Sequence, residues 1–212
     1  MSEVASVNVG RSSALSYGGE RIRTGIFKDT VDSAYLTETG FRGDVQVDRD
    51  NHGGRDKAVC VYSVEHLDHW SRDLGTLVGP GAFGENLTVT ESYESDVCIG
   101  DVFTIGQAEV EVSQPRQPCH KLSKKMGDLD FAARVIELGF TGYYVRVLRE
   151  GVIARGDTIT RIRRSPGCCT IDMANRAMYG KGSNRSALAE LIDAPALSEA
   201  WRSKLGAREQ NS

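Results

Sequence analysis

Short apolar runs, each stopped by Gly, Asp or Pro, recur along most of the chain and leave no room for a core built on long helices. The clearest lies between Gln107 and Ser113, where Ala108, Val110 and Val112 alternate with polar residues. Alternation puts the three apolar side chains on one face of a strand, and Pro115, which has no N–H for a ladder, stops it. The same reasoning predicts strands at Val4–Val9, Lys57–Tyr62, Asn86–Val89, Val102–Ile105, Tyr143–Leu148 and Thr158–Ile162. The turns between them draw on glycine, which supplies 23 of 212 residues, well above the roughly 7% of an average chain.

Ile99-Gly100-Asp101-Val102 and Arg155-Gly156-Asp157-Thr158 share one turn pattern, and each leads into a strand. They read as equivalent corners of a barrel, although Gly-Asp is also a common turn pair. Two helices interrupt the strands. Val64, Leu67, Trp70 and Leu74 form a stripe behind Ser63, and Asp128 is placed to cap a helix that carries Leu129, Ala132, Val135 and Ile136 and ends near Gly139. After about residue 164 the alternation is lost, and three helices are expected at Ile171–Tyr179, Arg185–Asp193 and Leu197–Leu205. The predicted fold class is mainly β (α+β): a β-barrel over residues 1–164 with a few helices, then a three-helix C-terminal bundle over 165–212.

A 40% hydrophobic and 26% charged composition fits a folded globular chain. A net charge of −3 provides no general attraction to nucleic acid or to an anionic membrane, so neither is an expected partner. The opening residues lack the basic and apolar regions of a secretory signal, which predicts a cytoplasmic protein. Five cysteines in no regular spacing predict free thiols rather than a disulfide framework. The four histidines form no usual zinc pattern, and His66 and His69 are expected on a helix surface.

Residues 112–127 carry Arg116, Lys121, Lys124 and Lys125 with no Asp or Glu, a local inversion in an acidic chain. Pro115 and Pro118 fix the backbone just before Cys119. Positive neighbours favour a thiolate, the form that acts as nucleophile or soft-metal ligand. Cys119 is therefore the candidate reactive atom, although an inert thiol beside a solvated cationic face would give the same pattern. A second stretch, Asn51-His52-Gly53-Gly54-Arg55-Asp56-Lys57, joins adjacent glycines to two cations. Its backbone is open to an anion or to an ordinary hairpin turn. A third, Phe83-Gly84-Glu85-Asn86-Leu87-Thr88, again places Gly before polar groups at a strand start.

Together with Thr24-Gly25-Ile26-Phe27-Lys28, Ile99-Gly100-Asp101, Ser113-Gln114-Pro115-Arg116-Gln117-Pro118-Cys119-His120-Lys121-Leu122 and Gly142-Tyr143-Tyr144-Val145-Arg146-Val147, these stretches resemble the MOSC family. Within it they resemble the YiiM type, which is associated with resistance to N-hydroxylated purines. The order is collinear over about residues 4–163, and Leu197-Ser198, Trp201-Arg202 and Leu205 resemble the three-helix appendage of that subgroup. Position 143 is Tyr where relatives commonly have Trp.

The resemblance implies a barrel that binds molybdenum cofactor, with Cys119 as catalytic residue and metal ligand. By the same resemblance Arg116, Lys57, Lys121, His52, Gly53, Gly54, Gly84, Glu85, Asn86, Thr24 and Arg146 bind the cofactor. The implied activity is reduction of small N-hydroxylated compounds such as hydroxylamino purines. The chain shows no flavin, haem or iron-sulfur motif, so an external electron-donor reductase is expected as partner. The sequence neither requires nor excludes a homodimer. Two other functions compete: a non-catalytic carrier of molybdenum cofactor or its sulfur, and a Cys-His hydrolase. His120 is poorly placed as the base of the latter, because neighbouring side chains on extended backbone point apart.

Overall fold

A computed structural model describes residues 2–47, 53–180 and 185–210. The chain begins with six strands: β1 (Val4–Val9), β2 (Ser13–Tyr17), β3 (Glu20–Thr24), β4 (Asp29–Val31), β5 (Ser33–Thr37) and β6 (Gly40–Phe41). A 3-10 turn at Arg55–Lys57 leads into β7 (Val59–Ser63), α1 (Val64–Leu74), β8 (Leu87–Val89), β9 (Val102–Ile105) and β10 (Ala108–Pro115). Then follow α2 (His120–Met126), α3 (Phe131–Leu138), β11 (Tyr143–Arg149), β12 (Gly151–Ala154) and β13 (Ile159–Arg163). The tail is α4 (Ile171–Tyr179), α5 (Arg185–Asp193) and α6 (Glu199–Gln210).

Eight strands form the main sheet in the order β13-β9-β10-β11-β7-β8-β1-β4. All pairs are antiparallel except β7 with β8, which are joined through α1 and are parallel. The expected barrel is realised as a curled sheet without regular pairing around its whole circumference. Its curl brings the start of β1 to the start of β13. There one bridge, Glu3 to Thr158, and three backbone bonds, Val4 N to Asp157 O (2.9 Å), Gly156 N to Val4 O (2.8 Å) and Ile159 N to Ser2 O (2.9 Å), link the two. Ala108, Val110 and Val112 are buried inside the curl, as their alternation predicts.

The two Gly-Asp turns are equivalent corners. Gly100 and Gly156 take φ of 87° and 85°, a left-handed conformation that favours glycine. Each following Asp accepts from the amide three residues back: Cys98 N to Asp101 Oδ2 at 3.1 Å, and Ala154 N to Asp157 Oδ2 at 2.8 Å. The strands they launch, β9 and β13, pair with each other.

The tail helices pack into the same apolar core as the strands. Ile171, Ala174, Leu188, Leu191, Leu197, Trp201 and Leu205 join Val4, Val110, Val112 and Val145 in one buried cluster. The polar seam above it runs from Ser198 N to Ser113 O (3.0 Å) and from Arg146 Nη2 to Ala196 O (2.8 Å). A second cluster, Tyr62, Leu67, Trp70, Phe83, Leu122, Phe131 and Val135, lies under α1, α2 and α3.

Two sequence expectations need correction. Cys98 and Cys168 are joined as a disulfide across 70 residues, so of the five thiols only Cys60, Cys119 and Cys169 stand outside one. His66 is buried, with Nε2 2.7 Å from Glu94 Oε2, while Glu94 Oε1 accepts from Gly142 N at 2.7 Å. The histidine thus braces the turn into β11, which has no counterpart in the helical period of α1. None of the described helices is long and apolar enough to cross a membrane.

Candidate functional site

The end of β3, the 44–47 stretch, the start of β7, the turn before β8 and the segment after β10 converge on one cleft of about 650 Å³, counting its open mouth. Of the residues predicted for the site, Cys119, Arg116, Lys57, Lys121, Gly84, Asn86 and Thr24 all line it.

Arg116 is its most consequential cation. Its backbone N–H donates to Gly142 O at 3.0 Å, which turns the side chain inward from the end of β10. Arg116 is buried, at 6% exposure. Nη2 donates to Phe83 O at 2.7 Å, but the buried Nη1 has no hydrogen-bond partner. Burial opposes its charge, while the thiols of Cys60 and Cys119 and the phenols of Tyr144 and Tyr62 favour it and the net shift is upward, so the guanidinium stays charged. A buried charge without an opposite partner is costly, so an anion entering the cleft would relieve it.

The two cysteines of the cleft differ in kind. Cys60 in β7 is buried, and burial pushes its thiol up to about 11, so it stays protonated near neutrality. Tyr144 is likewise pushed up by burial. Cys119 is partly exposed, at the residue that caps α2, and forms no disulfide. His120 begins the helix on its exposed side and does not line the cleft. Pro115 and Pro118 prevent β10 from continuing, and α2 starts at once because Leu122 has a buried slot in the second cluster.

The walls depend on two close approaches. Gly84 has φ of 74°, and a Cβ there would stand 2.9 Å from Ile26 Cγ1, so only glycine keeps this wall. Gly25 passes so near Val45 O that a Cβ would stand 2.1 Å from it.

Several predicted residues do other work. Glu85 is fully buried, and its carboxylate is taken by its own turn, accepting from Gly81 N (2.6 Å), Phe83 N (3.0 Å) and Thr88 Oγ1 (2.9 Å). It holds the Gly84 wall instead of facing the cleft. Arg146 lies outside the cleft, where Nε donates to Asp56 Oδ1 and Nη1 to Glu111 Oε2, each at 2.9 Å. Gly53 and Gly54 do not line the cleft; Gly54 caps the 3-10 turn that delivers Lys57. His52 lies outside the described residues. Asn86 lines the cleft with its polar atoms committed: Oδ1 accepts from Cys60 N at 3.2 Å, and Nδ2 donates to Asp44 Oδ2 at 2.9 Å. Asp44 also accepts from Gly10 N (2.8 Å) and pairs with Lys28.

Sequence reasoning missed Asp44, Cys60 and Tyr144 as lining residues. Tyr144 had a signal, since it lies in the Gly142-Tyr143-Tyr144 motif, whereas Asp44 lies in an irregular stretch that carries none.

Lys125 supports the cleft from behind. Its Nζ donates to Ile26 O (3.1 Å) and Gly81 O (3.0 Å), tying the two walls together. Burial holds its ammonium down to about 8 from 10.5. The unfolded chain therefore binds the extra proton between those values, and this group makes stability rise with pH across that window. The stability of the parent relative to Lys125→Met should increase between pH 8 and 10.5 in urea unfolding. A flat difference would contradict the burial. The opposite drift from Cys60 is common to both proteins and cancels.

Residues 48–160 match the MOSC domain. The chain belongs to the MOSC family. Residues 170–208 match the YiiM-like, 3-alpha helix domain, which covers the three tail helices of this MOSC protein. The chain is 45% identical over 200 residues to the uncharacterized protein YflK of Bacillus subtilis, covering 94% of this chain and 90% of that one. It is 33% identical over 194 residues to a protein named Reductase from Gibberella moniliformis, covering 89% of this chain but only 34% of the fungal protein. Among solved structures, YiiM from Geobacillus stearothermophilus superimposes with a TM-score of 0.84 at 33% identity, covering 99% of this chain and all of that one.

Proposed function

We propose that this MOSC protein is a molybdenum-cofactor-dependent reductase of N-hydroxylated compounds such as hydroxylamino purines, with electrons delivered by a separate redox protein. The observation that carries the reading is the buried Arg116 guanidinium with Nη1 unsatisfied, in the same cleft as the partly exposed Cys119. That pairing suits a group that is anionic at one end and bears a thiophilic metal at the other. Among the described residues there is no cluster of three His, Cys, Asp or Glu side chains suited to holding a metal ion.

The residues divide the work. Arg116 would hold the cofactor's phosphate, with Lys57 and Lys121 adding positive charge along the lining. Gly84 keeps that wall free of a side chain. Cys119 would supply the thiolate ligand, while Cys60 remains a neutral thiol against the same cleft. When bound, a reduced molybdenum centre would supply acceptance of an oxygen atom with donation of two electrons to the substrate. Overall, an N-hydroxyl group, two electrons and two protons give an N–H group and water. The name of the fungal relative supports a reductase.

The test is an anaerobic assay of protein made in a host that synthesises the cofactor, with reduced viologen as artificial donor. Conversion of a hydroxylamino purine to the amino purine is expected, and Arg116→Ala should lose it together with bound cofactor, since a charge-assisted contact contributes roughly 1.5–3 kcal/mol. Full cofactor retention without any product would instead mark a carrier.

A further inference from the structure

The Gln117 side chain ties the C-terminal helices to the Cys119 loop. Along the extended segment after β10, Arg116 and Cys119 line the cleft, while Gln117 between them meets the tail. Gln117 Nε2 donates to the Tyr179 hydroxyl at 3.4 Å, and Lys204 Nζ donates to Gln117 Oε1 at 2.5 Å. Tyr179 is the last residue of α4 and Lys204 lies within α6, so two separate helices grip one amide.

This grip is not what attaches the tail. Trp201 and Leu205 are fully buried in the common core, and Ser198 and Ala196 bond the sheet directly. Core burial of that kind outweighs one amide by several-fold. The loop is held at its start by Arg116 N to Gly142 O and at its end by the buried Leu122, and Gln117 lies between the two, beside Pro118, which has no backbone N–H to offer. The consequence of the grip therefore falls on the loop. We propose that Gln117 is a positioning residue through which the C-terminal helices set the placement of the Cys119 thiol at the cleft. Its value for turnover rests on the proposed function, whereas the placement of the thiol does not.

The test uses the full chain purified without cofactor, alkylated with iodoacetamide, with each cysteine followed by peptide mapping. Cys169, buried at 8% exposure at the junction of sheet and tail, is the internal reference. Gln117→Ala should speed alkylation of Cys119 by about threefold or more through local opening of the loop, with Cys169 still protected. Tyr179→Phe should act in the same direction, and Lys204→Arg, which keeps a donor, should stay at the parent rate. An unchanged Cys119 rate in Gln117→Ala would overturn the inference. So would Cys119 and Cys169 rising together, because that reports a tail coming off. If Gln117→Ala does not fold, Tyr179→Phe carries the test, since it removes one oxygen atom. In loaded protein Gln117→Ala and Tyr179→Phe should lower kcat with KM unchanged, and Lys204→Arg should leave both at the parent values. The expected alkylation pattern combined with no N-hydroxyl reduction in the parent would sink the proposed function and leave this inference standing.

Discussion

Replacing Cys119 with Ser is expected to lower N-hydroxyl reduction by more than ~100-fold, beyond what losing an outer-shell partner of a metal ligand costs. A thiolate is a soft ligand available near neutral pH, whereas a serine hydroxyl is far more basic and stays protonated there. Stability should barely move, because Cys119 is partly exposed on a loop and fills no core slot. Cys60→Ser should lower the thermal midpoint, since it puts a hydroxyl into a buried position of β7. Turnover with reduced viologen and the thermal midpoint of each variant decide the matter. Full activity in Cys119→Ser would move the metal ligand elsewhere.

Trp201→Ala should cost about 3–5 kcal/mol, the range for removing a large aromatic side chain from a core. Trp201 is fully buried, in a cluster that also holds Val110, Val112 and Leu205. Because strands and tail helices share that cluster, the loss should appear in one cooperative transition of the whole chain. Urea unfolding followed by both fluorescence and circular dichroism measures it. Two separated transitions, or a loss below about 1 kcal/mol, would mean that the tail folds on a core of its own.

The sequence was legible wherever a periodic face meets the core. β1, β9, α4 and α5 lie where the apolar pattern puts them, since each has one face buried in the main core or pairs within the main sheet. The hairpin of β2 and β3 escaped notice because it pairs only with itself and is mostly exposed, which leaves no alternation to read. Helix α2 looked like loop because only Leu122 and Ser123 of its seven residues are buried.

At the site, local chemistry located Cys119, Arg116 and Gly84 but could not assign partners that lie far away in sequence. Arg146 reads as an anion-binding cation until the fold brings Asp56 and Glu111 to it across 90 and 35 residues. Glu85 reads as a cleft carboxylate until its turn closes around it. The grip of Tyr179 and Lys204 on Gln117 spans 62 and 87 residues and leaves no trace in local pattern.

The most direct test of the central claim is the metal content of the chain. Protein made in a host that synthesises molybdenum cofactor and purified anaerobically should carry one molybdenum per chain, as expected if Cys119 is the single thiolate ligand of one bound cofactor. The Arg116→Ala variant prepared alongside should carry less. Stoichiometric zinc with no molybdenum in the parent chain under those conditions would contradict the account.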